Sequence, residues 1–360
     1  MKHSTIFREQ GVYGAFPVLN HLPDGRLTIG FSRSTFHDHY ATGEWTVLVS
    51  ADDGDTWAGT DDPSVPATWP GSNTRERSDR FAGVMPDGSY VCAGKTGSES
   101  WPASRRAEAE ERGCWVREHP QGDDRVMVTP PALFVQRSTD RGQTWQRTEW
   151  DAPGFQGFGF SRPKILHDGT VLEPVYGTAA DGARLVYVWR GTDGGRTWRL
   201  HKVGSTGGES AFLEVEPGRV LCLSRTAEGE SGGYLVHMWS EDGGLSWSEA
   251  INTNVWTPNS PPHLIKLSDG RVLLSHGYRR DPMGIRAVLS SNGGQTWDVD
   301  NTVVLRDDGG YVSEMAPQGS AGSDVGYPHS TQLSDGSVLT VYYITPADQV
   351  TQIASTRWDP

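Results

Sequence analysis

One octapeptide pattern recurs along this chain and restricts what the chain can fold into. The pattern, Ser-x-Asp-x-Gly-x-Thr-Trp, occurs with small variations at residues 50–57, 138–145, 191–198, 240–247 and 290–297. Its Asp (Asn in the last copy) can accept hydrogen bonds from backbone amides two or three residues further on, and its Gly can take a positive φ. Its Trp is a large apolar anchor. Each copy therefore predicts a structural turn between two antiparallel strands, and the repetition predicts a repeat architecture.

A second series of turns alternates with the first. Six short segments have the character of tight hairpins, and five of them contain the Asp-Gly pair that favours such hairpins. They centre on residues 24–25, 87–88, 168–169, 217–218, 269–270 and 335–336. Each unit then consists of a strand, a hairpin, a strand, a loop, a strand, an octapeptide turn and a strand. Four antiparallel strands repeated six times predict an all-β fold, a six-bladed β-propeller.

The spacing of the turns sets the predicted blades and their boundaries. The blades cover residues 14–60, 73–150, 155–203, 206–252, 256–305 and 323–360. Residues 4–13 are predicted to add the outer strand of the last blade, which would join both ends of the chain in one sheet and remove its free edges. A single domain over residues 1–360 is expected. An insertion at about 97–128, with a short helix capped by Ser104, forms either surface decoration or a lid.

Composition narrows the range of partners. A net charge of −13 argues against nucleic acid and anionic membranes, and no segment approaches the ~20 apolar residues of a membrane span. The three cysteines lack zinc-ligand spacing and no EF-hand calcium loop occurs, so neither a metal nor a cofactor is expected. Residues 1–9 contain no apolar run, which predicts a cytoplasmic protein, or a secreted one if a leader has been trimmed. The oligomeric state stays open.

Chain direction predicts which end of the blades carries function. Both kinds of turn lie at the same end of each sheet. The opposite end is formed by the starts of the first strands, the ends of the second strands and the loops that follow, which can vary without disturbing the scaffold. The candidate site residues at this end are Arg33, His37, Asp38, Arg80, Arg162, Glu209, Arg225, His276, Arg279, Arg280, Tyr327 and His329. This concentration of Arg, His, Tyr and carboxylate side chains predicts a binding site.

The octapeptide resembles the Asp-box of the sialidase superfamily, and the order of the turns resembles that of its propellers across nearly the whole chain. The resemblance implies a Tyr nucleophile paired with a Glu, an Asp acid/base and three Arg that hold the substrate carboxylate. Tyr327 stands eight residues before Asp335, and Glu209 stands eight residues before Pro217, where the family places its Tyr and Glu. Asp38 lies in the first blade's loop, where the resemblance implies the acid/base.

The arginines match the family pattern only in part. The resemblance implies that Arg225 is the second clamp arginine and that either Arg279 or Arg280 is the third. The first should open blade 1 in an Arg-Ile-Pro motif, but the chain has Ala15-Phe16-Pro17 there. Loss of a bidentate Arg–carboxylate contact weakens the binding of sialic acid. We therefore expect a sialidase-like, exo-acting glycoside hydrolase that cleaves a terminal sugar other than sialic acid from an oligosaccharide or glycoconjugate.

The residue types suit glycoside cleavage, which passes through an oxocarbenium-like state and needs an acid and a nucleophile on opposite sides of the bond. Glu209 can take the Tyr327 proton, and Asp38 can protonate the leaving oxygen. The other candidates are expected to contact the substrate: Arg33, His37, Arg80, Arg162, Arg225, His276, Arg279, Arg280 and His329.

Two other functions are compatible with the same residues. A polysaccharide lyase or a uronate-linked glycosidase would use a His base, and the loop end offers His37, His39, His263, His276 and His329. A non-catalytic glycan-binding protein would use aromatic platforms such as Trp45, Trp101, Trp115 and Trp256. Fold alone does not separate these functions.

Overall fold

The structure is a computed structural model, and its strands confirm the all-β class. It describes residues 1–38, 43–60, 62, 65, 80–119, 122, 124–151, 156–159, 162–178, 184–205, 207–226, 229, 231–320 and 322–360. One short α-helix, α1, spans Arg106–Glu111. The strands are β1 (Lys2–Arg8), β2 (Tyr13–His21), β3 (Leu27–Ser34), β4 (Glu44–Ser50), β5 (Phe81–Val84), β6 (Tyr90–Lys95), β7 (Glu99–Pro102), β8 (Trp115–Glu118), β9 (Arg125–Thr129), β10 (Ala132–Ser138), β11 (Gln146–Asp151), β12 (Gln156–Gly159), β13 (Lys164–Ile165), β14 (Val171–Thr178), β15 (Arg184–Thr192), β16 (Thr197–Gly204), β17 (Ser210–Glu216), β18 (Arg219–Ser224), β19 (Tyr234–Ser240), β20 (Ile251–Trp256), β21 (Pro262–Lys266), β22 (Val272–Tyr278), β23 (Gly284–Ser290), β24 (Val303–Arg306), β25 (Val325–Gln332), β26 (Val338–Ile344) and β27 (Gln352–Trp358).

Each predicted repeat forms an antiparallel sheet, numbered here in blade order. Sheet 1 contains β2, β3 and β4, and sheet 2 contains β5, β6, β10 and β11. In sheet 3 the first strand is split into β12 and β13, which both pair with β14, followed by β15 and β16. Sheet 4 runs from β17 to β20 and sheet 5 from β21 to β24. Sheet 6 has the order β25, β26, β27 and β1.

Both ends of the chain lie in sheet 6, as the sequence predicted. β1 pairs antiparallel with β27, from Lys2 opposite Arg357 to Arg8 opposite Gln352. The N-terminal strand ends at Arg8 rather than at residue 13. It ends there because the chain turns at Gly11, which has φ +73, before β2 begins.

Sheet 1 departs from the predicted four strands within the described residues. It has three strands, and a fourth position is reduced to one bridge between Val49 and Ala58. Beyond that bridge the backbone amide of Asp62 bonds to Thr60 Oγ1 at 3.1 Å, and its carboxylate accepts a bond from Arg26 at 2.8 Å. Local and side-chain contacts therefore hold Asp62 among the described residues after Ala58.

The insertion forms a separate three-stranded sheet with the order β7, β9 and β8. Its helix does not begin as predicted. Ala103–Arg105 form a single 3₁₀ turn, Arg105 occupies the N-cap of α1, and no side chain caps the helix. The first turn is instead stabilised by the ion pair between Arg105 and Glu108, whose atoms lie 2.6 Å apart.

The Asp-box turns have a closed set of local bonds. In the second copy, Ser138 Oγ donates to Asp140 Oδ1 at 2.7 Å and accepts the Gly142 amide at 2.7 Å. The Thr144 amide and hydroxyl both donate to the Asp140 carboxylate, at 2.8 and 2.6 Å. Trp145 Nε1 donates to the Gly142 carbonyl at 3.0 Å. The Asp of this copy thus accepts an amide four residues on, whereas Asp242 in the fourth copy accepts the amides both three and four residues on.

The third copy has Gly191 where the others have Ser, and the structure gives the reason. A Cβ on Gly191 would lie 2.7 Å from the Trp198 ring. The Trp of this copy therefore packs directly on the backbone, in space that a serine side chain would fill.

Apolar clusters lie between neighbouring sheets of the repeats, and a further cluster lies within the insertion. The former join sheets 1 and 2, 2 and 3, 3 and 4, 4 and 5, 5 and 6, and 6 and 1. The cluster between the last and first sheets includes Tyr13, Phe31 and Tyr343, all fully buried. The three cysteines are buried. None of the helices in the described residues has the length and apolar character needed to cross a membrane.

Two first strands are interrupted at corresponding positions. Phe16 in β2 and Tyr327 in β25 each lie six residues before the first residue of the hairpin turn, and each precedes a proline. Both have positive φ values, 56° and 50°, and both lie at a shift in strand register. Side chains of this type rarely adopt such a conformation, which is concentrated at functional sites. The bulges turn both rings toward the same region at the predicted functional end.

Candidate active site

A tyrosine and a glutamate from distant parts of the chain meet at the loop end of the sheets. Tyr327 Oη donates a hydrogen bond to Glu209 Oε1 at 2.9 Å. Glu209 lies immediately before β17 and is 7% exposed, whereas Tyr327 lies near the start of β25. Burial, together with the Glu209 charge, raises the pKa of Tyr327 well above its ordinary value. The phenol therefore keeps its proton and directs it at the carboxylate.

Arg225 holds the other oxygen of the same carboxylate. It follows β18, the second strand of sheet 4, and its guanidinium donates to Glu209 Oε2. Burial works against the Arg225 charge, but the Glu209 carboxylate outweighs it and raises the pKa of Arg225. Glu209 thus has one oxygen fixed by a cation and one oxygen on the tyrosine.

Of the two arginines in the sheet 5 loop, Arg279 faces the pair. Its guanidinium carbon lies 5.8 Å from the centre of the Tyr327 ring, and its nitrogens donate to the carbonyls of Val325 at 3.1 Å and Asn259 at 2.7 Å. Arg280 points elsewhere, over the Trp256 ring at 5.7 Å. Of the two arginines that the sequence left open, Arg279 is therefore the one that lies beside Tyr327.

An aromatic wall stands beside Tyr327. Phe16 meets its ring edge-on at 5.0 Å between centroids, and Tyr343 lies 5.9 Å away. Ala15, at the position of the missing arginine, has no exposed surface and packs in the apolar cluster between sheets 6 and 1. This side of Tyr327 is thus apolar where the resemblance implied a guanidinium.

The loop after β3 brings a second group to this end. Asp38 is 1% exposed, and its Oδ2 accepts the Gly43 amide at 2.9 Å. Its neighbour His37 donates from Nε2 to Asp324, 3.1 Å from both carboxylate oxygens. Tyr13 Oη donates to the same carboxylate at 2.9 Å. The rings of His37 and Tyr13 also contact each other edge-on, 4.7 Å between centroids. Contacts with Asp324 and Tyr13 therefore fix His37 at the start of the Asp38 loop.

Tyr343 connects the two groups. Burial raises its pKa to about 12, and the charges of Arg279, Asp324 and Glu209 all act on it. Asp324 lies three residues before Tyr327. The chain at the start of β25 therefore contributes one residue to the Glu209 pair and one to the Asp38 group. The candidate nucleophile and the loop of the candidate acid/base are thereby built around a shared core.

The insertion reaches the Asp38 group at its far end. His119, after β8, is 7% exposed, and burial lowers its pKa while the nearby Asp38 charge opposes that change. This charge interaction places His119 of the insertion near Asp38, and the role of the insertion as a lid stays a prediction.

Arg162 and His329 belong to a third group, together with Lys164 and His263. His263 and His329 stack with centroids 4.5 Å apart, and Arg162 donates to the Leu19 carbonyl of sheet 1. This group lies where the first strands of the sheets meet.

Three residues that were predicted to contact the substrate bind other parts of the protein instead. Arg33 binds Glu9 at 2.8 Å and lies over the Phe7 ring, both in the N-terminal segment. Arg80 lies 3.8 Å from the fully buried Glu173. His276 donates from Nδ1 to the Gly277 carbonyl at 2.9 Å, and burial lowers its pKa to about 4. His39 lies outside the described residues.

Sequence reasoning missed Asp324 and Tyr13 as members of the site. Asp324 immediately precedes β25, and Tyr13 opens β2. Both positions are first-strand starts, which the chain direction had already marked as functional. Extending the search by three residues before Tyr327 would have found the carboxylate. Within the described residues no group of three or more His, Cys, Asp or Glu side chains is placed to hold a metal ion.

Comparison with known proteins supports the family resemblance that the sequence showed. The BNR repeat-like domain matches residues 114–340. A sialidase of Bacteroides fragilis (strain YCH46) is 26% identical over 213 residues, which cover 53% of this chain and 38% of that protein. The matched region thus spans less than half the length of this curated relative.

Solved structures show that the fold is shared. A Dyadobacter fermentans protein of unknown function has a TM-score of 0.72 and 22% identity, covering 100% of this chain and 98% of its own. A mutant of the NanB sialidase of Streptococcus pneumoniae has a TM-score of 0.58 and 12% identity, covering 98% and 70%. A Hadza microbial sialidase has a TM-score of 0.59 and 19% identity, covering 96% and 66%. Because the repeat model matches well over half of it and its fold is that of sialidases, the chain belongs to the BNR-repeat, sialidase-like superfamily.

Proposed function

We propose that this protein is a retaining, exo-acting glycoside hydrolase in which Tyr327 is the nucleophile, Glu209 its base and Asp38 the acid/base. The observation that carries the proposal is the 2.9 Å hydrogen bond from Tyr327 Oη to Glu209 Oε1, across 118 residues of sequence. A nucleophile within hydrogen-bond reach of a base that is itself oriented by a third group is the usual arrangement for covalent catalysis. Arg225 is that third group.

In the first step, Tyr327 Oη attacks the anomeric carbon and its proton passes to Glu209 Oε1. The bond from that carbon to the leaving oxygen breaks, and protonated Asp38 gives its proton to the leaving oxygen. A tyrosyl–sugar bond has then formed, and the aglycone departs as a neutral alcohol. The pKa of Tyr327 is raised in the free protein, so the base is needed to remove the proton as the bond forms.

In the second step, water attacks the anomeric carbon while the Asp38 carboxylate takes one of its protons. The bond between the carbon and Tyr327 Oη breaks, and Glu209 returns the proton to the phenolate. Two displacements at one carbon retain its configuration. Arg225 and Arg279 remain charged throughout and compensate the negative charge that develops on the tyrosine oxygen.

The proposed setting for this chemistry is a closed six-bladed propeller. Its support is the set of apolar clusters that join each sheet to the next and sheet 6 to sheet 1. The pairing of β1 with β27 gives sheet 6 strands from both ends of the chain. In such a ring the first strands line the axis, which is where the candidate residues gather.

The proposed substrate carries no carboxylate on its anomeric carbon. Two arginines, Arg225 and Arg279, remain beside Tyr327, and Arg225 is already occupied by Glu209. On the remaining side stand Phe16 and buried Ala15. An apolar wall favours a hydrogen atom or a carbon substituent at that position over a charged group, which would lose its hydration there.

A panel of 4-nitrophenyl glycosides tests the proposal. It should contain both anomers of neutral hexoses, deoxyhexoses, a uronate and sialic acid. We expect release of nitrophenol from a neutral sugar and negligible release from the sialoside. Glu209→Gln should lose turnover on the active compound, because the base is removed while the shape is kept.

Each other outcome identifies a different function. Sialoside turnover at ordinary enzyme rates, about 1–10³ per second, would overturn the substrate class. An unsaturated uronate, seen by its near-ultraviolet absorbance in digests of polysaccharides, would indicate a lyase. Binding of glycans with no product from any compound would indicate a binding protein and reject the hydrolase.

A further inference from the structure

Four basic side chains that the proposed mechanism does not use lie together where the first strands meet. We name Arg162, Lys164, His263 and His329 the inner-strand cluster. Arg162, His263 and His329 each stand four residues before the first residue of their hairpin turn, so they lie at one level of three different sheets. β25 packs against β21, which places the two histidines on neighbouring strands. Lys164 opens β13, two residues after Arg162.

The contacts within this cluster leave hydrogen-bonding capacity unused. His263 Nδ1 accepts the Ser330 amide at 3.2 Å, so in the neutral ring Nε2 carries the hydrogen. That Nε2 has no hydrogen-bond partner in the described part of the chain, although the side chain is only 9% exposed. His329 Nδ1 is likewise buried without a partner there. A buried polar atom without a partner is costly, and its presence points to a group that completes the site.

The charges of the described residues that act on these atoms are all positive. Burial and then the Arg162 charge lower the pKa of Lys164 to about 7. Burial lowers the pKa of both His263 and His329, and the charges of Arg162 and Lys164 lower both further. Among the described residues no carboxylate acts on Lys164, His263 or His329. Basic groups held close together in a buried place repel one another unless an anion joins them.

We propose that the inner-strand cluster binds a small oxyanion of the phosphate or sulfate type, either as the free ion or as an ester group on a sugar. Such a group offers several acceptor oxygens to the Lys164 ammonium and the His263 N–H at once, and Arg162 adds a fixed charge. The Arg162 guanidinium is fixed by the Leu19 carbonyl, so the charge is in place before the anion arrives. No histidine or arginine of the cluster takes part in the hydrolysis steps above.

Calorimetric titration of the full chain with sodium sulfate and with sodium phosphate tests this site. Sodium chloride at matched ionic strength is the reference, and the pH is kept below 7 so that Lys164 is charged. We expect saturable binding of the oxyanions beyond any effect of chloride. Lys164→Met should weaken that binding at least about tenfold, the loss of one charge-assisted hydrogen bond.

Lys266→Met is the matched control. Lys266 also lies on a first strand, but its ammonium donates to the Val215 carbonyl at 2.7 Å and is outside the cluster. It should bind the oxyanions as the wild type does. If Lys164→Met does not fold, His329→Gln replaces it, and the wild-type titration decides the main question by itself.

The two sources of the oxyanion differ in their effect on turnover. Competitive inhibition of glycoside hydrolysis by sulfate would assign the site to an ester group on the sugar, whereas binding without inhibition would assign it to the free ion. Tyr327→Phe should bind the oxyanion with the same affinity as the wild type. Oxyanion binding is therefore tested independently of the proposed hydrolase activity. Absence of saturable oxyanion binding by the wild type, or equal binding by Lys164→Met, would overturn the proposal.

Discussion

The two ends of the sheets are built in opposite ways. At the Asp-box end, the side-chain bonds that close the turn at residues 138–145 span at most four residues, as between Asp140 and Thr144. At the other end, Tyr327 and Glu209 are 118 residues apart, and His37 and Asp324 are 287 residues apart. The bonds that give this turn its shape therefore lie within one short peptide. The candidate site exists only when several sheets have assembled.

The pKa values of ionisable groups also differ between the two ends of the sheets. Hydrogen bonds from Thr144 and Ser138 lower the pKa of Asp140 to about 2, which marks a carboxylate whose charge is fully satisfied. Burial raises the pKa of Tyr327, which marks a group held in its neutral form beside a base. We therefore expect one end to stabilise the fold and the other to supply the groups that exchange protons. Changes at the two ends should separate activity from stability.

The largest effect is expected from Tyr327→Phe. Removing the nucleophilic oxygen should lower kcat on the active glycoside by about 10³-fold or more, with little change in Tm. Tyr342→Phe is the control, because its hydroxyl lies 2.7 Å from Thr356 Oγ1 away from the Glu209 pair. That control should cost about 1–2 kcal/mol of stability and leave kcat unchanged. Retention of most activity in Tyr327→Phe would refute the tyrosine mechanism.

Asp38→Asn should have an effect that depends on the leaving group. For a glycoside with a poorly acidic aglycone, loss of the general acid should lower kcat/KM by about 10²–10⁴-fold. For a dinitrophenyl glycoside, whose leaving group needs no proton, the loss should be much smaller. The slope of rate against leaving-group pKa measures the difference. An equal loss for all aglycones would assign Asp38 to structure rather than to proton transfer.

Asp324→Asn should have an intermediate effect. The variant weakens the bonds from His37 and Tyr13 that fasten the Asp38 loop, and small displacements of a catalytic group cost about 10- to 100-fold. The loss should be greater with poor leaving groups, as for Asp38→Asn. Asp348→Asn serves as the control and should match the wild type, because it weakens an exposed ion pair with Arg8 and keeps an oxygen to accept the Val350 amide.

The smallest effect is expected from Asp140→Asn. Asn292 already takes this role in the fifth turn, where it bonds to Ser290 and Thr296, so the turn should form at neutral pH. The pKa of Asp140 is about 2 in the folded protein, below the ordinary Asp value of about 3.9. Its stabilisation is therefore present above pH 4 and is lost as the pH falls toward 2.

Melting temperatures measured between pH 4 and pH 2 test whether the stabilisation by Asp140 is lost as the pH falls. The wild type should lose more Tm between pH 4 and pH 2 than Asp140→Asn, and kcat should be equal in the two proteins near neutral pH. Asp140→Ala, which cannot accept the Thr144 bonds, should lower Tm at every pH. Identical pH profiles for the wild type and Asp140→Asn would show that the charge contributes nothing.

Much of this protein follows from short-range chemistry. The turn at Ser138 to Trp145 forms from its own eight residues, and the hairpins have apolar residues on both sides, so their spacing predicted the order of the sheets. The end of the sheets that carries polar residues also followed, because strand direction alternates. The three-stranded form of sheet 1 among the described residues did not follow from the turn spacing, which predicted four strands. The start of α1 did not follow either, because Ser104 lies inside a 3₁₀ turn and no side chain caps the helix.

The sequence by itself determined the repeat, its turns and the residue types gathered at one end, because those depend on contacts within a few residues. Only the tertiary structure decided which of these residues act together. It turned Arg279 toward Tyr327 and Arg280 toward Trp256, although the two are adjacent in the chain. It also placed Arg33 on Glu9 and brought Asp324 to His37. The direction of a side chain at a strand end is set by the neighbouring sheet, which lies far away in sequence.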